Sequence, residues 1–479
     1  MPVYLYLFAA LSSLTQGEVP AGTRLHIRLA TSVGTYATTA GTPVSAFLIA
    51  PVSVNGATLL PAGSTLSGRV TSVRRVGMGF VHETAAMNLE FNRLTLPAGQ
   101  AMPVSTRIAQ VDNSREQVGP KGLIRGVRTT SSLSYRVCGY MKTALLWHFH
   151  ARLAFWAIKT LVVQLPEPEI YYPPGVEFTL VSTEPMHLKL PDESEERPLS
   201  EVESADLAGL VAGMPARAYA PASKRPSDFI NTGLIGSRDE VAAAFAAAGW
   251  TQARPATFRS RASGVRALAE GRGFHALPMS TQLVNNTEAD MSWEKDLNDL
   301  SKRHHIRVWK QPANWHGQEV WIGAATRDVE LAYLRPGQAL THRIAENVDE
   351  EREKIVDDLA FTSCVETVNW FDRPGFPRST RNATGDLMVT DGRMALIHLN
   401  DCRKPRMSTE TLGDPSQLAM HGNRWQRFVR REILSMRSDL IRANMYWRTF
   451  EGVRYAVTAI RKRNRPLEAG TLRSVRSSS

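Results

Sequence analysis

"VPAGTRL" (residues 19–25), "LPAGSTL" (60–66), "LPAGQAM" (96–102) and "YPPGVEF" (172–178) are versions of one phrase. Each reads apolar, Pro, small or Pro, Gly, two variable residues, apolar. Proline presets φ for a corner, and the glycine two residues later (Gly22, Gly63, Gly99, Gly175) can take positive φ. The phrase therefore predicts a tight turn that delivers the chain into a new strand. Alternating segments follow it: "RLHIRLA" (24–30) sets Leu25, Ile27 and Leu29 on one face, and "TLSGRVTSV" (65–73) follows the second copy. The copies are unevenly spaced, which points to a recurring turn in one β domain and not to a solenoid. Residues 18–115 are expected to form an antiparallel β-barrel or sandwich.

The phrases around short strands resemble the barrel of periplasmic conjugation-channel proteins of the TrbI/VirB10 type. That resemblance implies an envelope β domain.

The chain of 479 residues is long enough for two or three domains, and its 43% hydrophobic and 22% charged composition is that of a folded protein. The formal net charge is +11. Residues 403–479 hold 17 Lys/Arg against 6 Asp/Glu, which leaves 40 of each sign in residues 1–402. The basic character thus belongs to one tail, and no nucleic-acid partner is expected. Cys138, Cys364 and Cys402 are too few for a disulfide framework. Cys364 and Cys402 can pair if their strands are adjacent, which spacing does not reveal.

Residues 1–17 have the length and order of a signal peptide, with an apolar run from Val3 to Leu11, although no Lys or Arg precedes Arg24. The expectation is an exported, periplasmic or membrane-associated protein. The barrel-like domain is taken as 18–190, with a helical insertion at 141–163. Charges inside that insertion (Lys142, Arg152, Lys159) argue against a membrane span, since one Arg at the bilayer centre costs about 3 kcal/mol. Residues 191–224 are rich in Pro, Ala, Ser and charge and read as a linker.

Past the linker, "GLIGSRDEVAAAFAAAGW" (233–250) opens a helix, with Ser237 as N-cap, Glu240 completing a capping box, and Val241, Phe245 and Ala248 as its buried stripe. A second helical segment is expected at 258–271. Strand-like runs "HHIRVW", "EVWIGAATRD", "CVETVNW" and "MALIHL", with the acidic helix "DEEREKIVDDLA" among them, make 225–402 an α+β domain. The whole is thus a mixed fold: a β domain followed by an α+β domain.

Four motifs in order, "RHHIRVW" (303–309), "VWIGAATRD" (320–328), "THRI" with "VDEER" (341–352) and "NATGDLMVTDGR" (382–393), resemble the LssY C-terminal domain family. That family occurs in bacterial envelope proteins, often fused to polytopic membrane modules, and no reaction is established for the domain. Strand alternation puts His304, Ile306 and Val308 on one face and His305, Arg307 and Trp309 on the other. The apolar set turns His304 toward the core and His305 toward a functional face.

Two site readings follow. One is an anion pocket, with Arg303, Arg307 and Arg327 as ligand-binding residues. The other is a hydrolase in which His305, His342 and Asp328 are catalytic. A zinc ion on His304, His305, His342 and Asp349 would activate water in that second reading, although neighbouring histidines on a strand point opposite ways and no HExxH signature occurs. GxSxG, Walker A and GxGxxG signatures are also absent. The leading expectation is a binding or scaffold module of the cell envelope, linked to secretion or membrane processes, with an envelope or membrane protein partner; the hydrolase is the alternative.

The tail, 403–479, contains "RWQRFVRREILSMRSDLIRANMYWRTF". Trp425, Phe428, Val429, Leu434, Leu440 and Ile441 form an apolar stripe with arginines around it. Such a helix lies on an anionic membrane surface or docks on its own domain. The last twenty residues are expected to be disordered.

Overall fold

The computed structural model describes residues 16–132, 135–136, 165–189, 201–253, 279–333, 340–402, 423–443 and 452–460, with positions 257, 264, 266–267 and 270. The signal-peptide segment up to residue 15, the insertion at 141–163, Cys138, most of 258–271 and the last nineteen residues lie outside them.

The repeated phrases do make the turns. Gly22, Gly63, Gly99 and Gly175 all have φ near +90°, at 90°, 88°, 90° and 92°. In three copies the residue after the glycine donates its N–H to the proline carbonyl (Thr23 to Pro20, Ser64 to Pro61, Val176 to Pro173), so the proline stands just before the corner rather than in it. The strands they feed run, in spatial order, Thr106–Val111, Glu177–Ser182, Arg24–Leu29, Pro43–Leu48, Thr65–Arg74 and Ala86–Thr95, with two short strands beyond, all antiparallel. Val104 N–H donates to the Asn92 carbonyl at 3.0 Å, and Thr106 Oγ1 donates to the Phe91 carbonyl at 2.8 Å. These bonds bring the first strand of the order back against the sixth, so the sheet is a near-closed barrel. Leu25, Ile27, Leu29, Phe91 and Phe178 fill it. The alternation that sends Leu25, Ile27 and Leu29 inward sends Arg24, His26 and Arg28 outward.

The C-terminal domain is a mixed sheet with helices on both faces. Its order is Thr251–Gln252, Met291–Lys295, Arg303–Trp315, Gln318–Tyr333, Thr232–Ile235, Arg393–Leu399 and Val365–Asp372, with Leu340–Ile344 beside the outer half of Gln318–Tyr333. Thr232–Ile235 and Arg393–Leu399 are parallel; their neighbours are antiparallel. With helices numbered as α1 (Glu201–Ala212), α2 (Arg238–Ala247), α3 (Asp349–Phe361) and α4 (Arg424–Ala443), α2 and α3 cover one face through Val241, Phe245, Ile355 and Leu359. On the other face, α1 packs Leu207 and Val211 against Trp309 and Ile322. The Ser237–Glu240 capping box is present, and a disulfide joins Cys364 to Cys402.

The expected linker at 191–224 needs correction. Within it, 201–212 is helix α1 and Arg217–Ala220 is a strand paired with Arg225–Phe229. Leu207, Val211 and Met214, spaced i, i+4, i+7, carry the burial; the Pro- and charge-rich composition around them hid that stripe. The tail stripe is divided. Leu434 enters the barrel core, but Trp425 is 69% exposed. The fully buried residue is Arg430, whose guanidinium donates to the Gly77 carbonyl, pairs with Glu167 and lies over the Tyr36 ring. Acceptors on the barrel draw the arginine side of α4 inward and leave Trp425 outside.

Backbone packing makes two glycines testable against each other. A Cβ on Gly68 would lie 1.9 Å from the Glu90 carbonyl oxygen, at a bulge between Thr65–Arg74 and Ala86–Thr95. A Cβ on Gly22 would meet nothing within 4 Å and face only the positive φ. Gly68→Ala should cost about 3 kcal/mol or more, and Gly22→Ala about 1 kcal/mol. Denaturant melts of both variants check this, and equal losses would contradict it.

Candidate functional site

The strand Arg303–Trp315 divides the expected site residues. Its even positions face α3 and the barrel, and its odd positions face away. On the first side, His304 is 1% exposed and lies between two carboxylates, with Nδ1 2.6 Å from Glu351 Oε2 on α3 and Nε2 2.6 Å from Asp112 Oδ2, a barrel residue. Arg327, cross-strand from His304, donates to the other Asp112 oxygen at 2.6 Å. Burial alone would lower the His304 pKa, but Asp112 and Glu351 outweigh it and raise it. A doubly protonated ring can donate to both carboxylates at once.

Beside this pair the two domains share a buried charge cluster. Arg28 reaches Glu177 at 2.8 Å and Asp358 at 3.0 Å. Lys295 contacts the same two carboxylates at 2.5 and 2.9 Å, and Lys354 also joins both. Trp250 Nε1 donates to Asp358 Oδ2 at 2.9 Å. Burial works to protonate Glu177, yet Lys295, Lys354 and Arg28 hold its pKa well below the usual range. Burial and Glu177 both push Asp358 up, and the same three bases hold it down.

Between His304 and the cluster opens a cleft of roughly 350 Å³, within the range of small-ligand sites. Its barrel wall includes Arg24, His26, Ile49, Ala50 and Gln110, and its opposite wall is the Glu350, Glu351, Glu353, Asp357 side of α3. Glu351 is 2% exposed, and its Oε1 has no hydrogen-bond partner; Arg327 Nε, also buried, has none either. Burial, then the neighbouring Asp358, pushes the Asp357 carboxyl up to about 7. Burial, with Lys354 and Arg24 added, lowers His26.

The odd side of the strand gathers the remaining expected residues. Arg303 donates to Asp328 at 2.7 Å and to Glu294 at 2.9 Å. His305 Nε2 is 2.9 Å from Asp328 Oδ1, and His342 Nδ1 is 3.4 Å from Asp328 Oδ2. Arg307 binds Ser280 and, at 3.4 Å, Asp228. His305, Asp328 and His342 do converge, but the arrangement is that of a buried ion-pair group. Thr326 Oγ1 lies 3.2 Å from His305 Nδ1 and 3.4 Å from Nε2, beside the ring rather than in line with either nitrogen's lone pair, so the ring is not placed to take its proton.

The expected zinc set does not fit. His304 and His305 point to opposite faces, and both nitrogens of His304 are engaged by carboxylates. Asp349 is bonded to Arg352, Thr390 and the Asp391 N–H at the start of α3. Arg303 occupies the Asp328 oxygen nearest His342. Arg303, Arg307 and Arg327 do not gather in one anion pocket: Arg303 and Arg307 pair with Asp328 and Asp228 on the odd side of the strand, whereas Arg327 pairs with Asp112 on the other side.

Asp112, Glu177, Arg28, Lys295, Lys354, Asp357 and Asp358 were not anticipated. The signals were slight: an arginine at an outward position between Ile27 and Leu29, and a Lys354–Asp358 pair at i, i+4. The partners that give them meaning sit in another domain.

With this geometry in hand, comparison with known proteins places the C-terminal domain. Residues 215–394 match the family described as LssY C-terminus. The matched residues therefore hold the sheet up to the start of Arg393–Leu399, α2, α3 and every C-terminal residue of the cleft. No curated protein matches the chain. Among solved structures, ComB10 of the Com type IV secretion system of Helicobacter pylori aligns at 12% identity and a TM-score of 0.21, over 37% of this chain and 93% of that one.

The electrostatics of the cleft give a pH dependence with a definite sign. Asp357 faces Glu353, Lys354 and Asp358 from its own helix, with Arg24, His26 and Glu177 across the cleft. Its folded pKa lies above the ordinary carboxylate value, so its contribution to stability is complete in acid and is lost as pH rises through about 7. The raised His304 acts in the same direction, and the lowered His26 opposes it. Asp357→Asn should stabilise the protein by about 1–2 kcal/mol at alkaline pH and flatten the rise in Tm on acidification through neutrality. Tm values identical to the parent's across that range would contradict the assignment.

Proposed function

We propose that the protein is an extracytoplasmic binding module of the bacterial envelope, in which the barrel and the LssY-type domain act as one unit and hold a ligand or partner in the cleft between them. The observation that carries this reading is the buried cluster of Arg28, Glu177, Lys295, Lys354 and Asp358. Breaking such a cluster leaves buried charge uncompensated, at about 3–5 kcal/mol, so the domains are expected to stay docked. A docked pair keeps the cleft pre-formed, which lowers the ordering cost of binding. The Cys364–Cys402 disulfide supports an oxidising compartment.

A photo-crosslinking residue at Gln110 or Asn347, on the two walls of the cleft, checks this in native envelopes. Discrete adducts from these positions are expected, and none from the exposed Glu330. Silence at both walls, or adducts equally from Glu330, would defeat the proposal.

The basic tail is proposed to meet an anionic membrane surface. Val453, Val457 and Ile460 fall at i, i+4, i+7 in a second helical stretch of the tail and are exposed, at 58%, 43% and 58%. Exposed apolar positions at this spacing, with Arg454 among them and Arg461, Lys462 and Arg463 following in sequence, suit an interfacial helix. The full chain should sediment with vesicles containing phosphatidylglycerol and be released by salt, and Val457→Asp should reduce the bound fraction several-fold. Equal sedimentation with neutral vesicles, or an unaffected variant, would remove the tail from this role.

A further inference from the structure

The charge inventory of the cleft is lopsided, and the imbalance names a ligand class. Asp112 is met by His304 and Arg327. Glu177 and Asp358 are met by Arg28, Lys295 and Lys354. What remains is Arg24, with His26, on the barrel wall and a larger row of carboxylates on α3. Glu350, Glu353 and Asp357, at i, i+3 and i+7, share one helix face, with Glu351 buried beside them. Glu353 has a loose contact to Arg352 at 3.5 Å, but that guanidinium is already engaged by Asp349 and Asp391. One Glu351 oxygen is bound by His304, while Oε1 is buried and without a partner. A buried carboxylate oxygen left unpaired costs about 1–3 kcal/mol unless something donates to it.

We propose that this side of the cleft binds a primary ammonium group carried on a short aliphatic chain. An ammonium has three donors and no acceptor, which suits carboxyl groups spread along a helix face. Metal ions ask for ligands converging on one point, and among the described residues no group of three His, Cys, Asp or Glu does so. Ile49 and Ala50 on the barrel wall provide an apolar surface for the aliphatic chain. The inference rests on the binding-module reading and specifies what the cleft accepts.

The test is isothermal titration of the purified full chain with 1,5-diaminopentane, using 1,5-pentanediol as the uncharged counterpart. The expected result is saturable binding of one diamine per chain and no heat from the diol. Asp357→Asn and Glu353→Gln should each weaken the diamine about tenfold. Glu351→Gln should weaken it as well; because Glu351 also holds His304, the other two variants decide the matter if this one does not fold. Glu330→Gln, which removes an exposed carboxylate paired only loosely with Arg343, should leave the affinity unchanged. Absence of saturable diamine binding overturns the proposal, as does equal binding of the diol or an affinity indifferent to Asp357→Asn and Glu353→Gln. Crosslinked adducts at the cleft walls without diamine binding would remove the ammonium ligand while leaving the binding-module reading standing.

Discussion

Five charged side chains, three of them buried and two lysines partly so, hold the barrel to the LssY-type domain. Arg28 and Glu177 come from adjacent barrel strands, and Lys295, Lys354 and Asp358 from a strand and a helix of the other domain. Taking such groups out of water is costly, and their mutual attraction offsets that cost only if all of them are present in good geometry. Each carboxylate therefore has at least three basic neighbours, and Trp250 adds a hydrogen bond to Asp358. Apolar packing alone would tolerate small slides between the domains. Directional ion pairs fix the orientation, and the Phe361 ring, under the Arg28 guanidinium and 6.1 Å from Phe47, fills the space beside them.

The same constraint explains why one strand serves two purposes. In Arg303–Trp315 the alternation of side chains sends His304 to the barrel and His305 to the interior of its own domain. Two adjacent histidines thus join unrelated networks, one between domains and one within. Against the effect of burial, carboxylates from both domains raise the His304 pKa, which makes it part of the contact between them. Arg303, His305 and His342 instead surround Asp328 and keep it ionised where burial would protonate it. The catalytic look of the histidine-rich motif comes from this second network, which knits three strands together.

Helix α4 shows how acceptors on a neighbouring surface override an amphipathic pattern. The sequence left its apolar stripe either to a membrane surface or to its own domain; in the structure Leu434 packs into the barrel, while Glu167 and the Gly77 carbonyl claim Arg430 beside it. A buried arginine is tolerated when acceptors reach it, and the barrel rim supplies them to Nε and one terminal nitrogen of Arg430.

By itself the sequence determined the local and periodic features. The Pro–Gly phrase specified turns because only a glycine enters φ near +90° without strain. Alternation in "RLHIRLA" assigned its faces correctly; in "HHIRVW" it separated the two faces but named the wrong histidine for the functional one, since His304 lines the cleft and His305 is buried within its own domain. Ser237 with Glu240 marked the start of α2. Four ordered motifs sufficed to recognise the LssY-type domain. Long-range placement was decided only in the tertiary structure. Nothing in "RLHIRLA" says that Arg28 will meet Asp358, because that encounter depends on how two separately coded domains dock. Composition also misled where burial rests on few residues, as in Leu207 and Val211 within an apparent linker. Periodicity is a property of neighbours along the chain, whereas a buried charge is tolerated only through partners brought from far away. The cleft, built from such partners, could be found in the fold and not in the sequence.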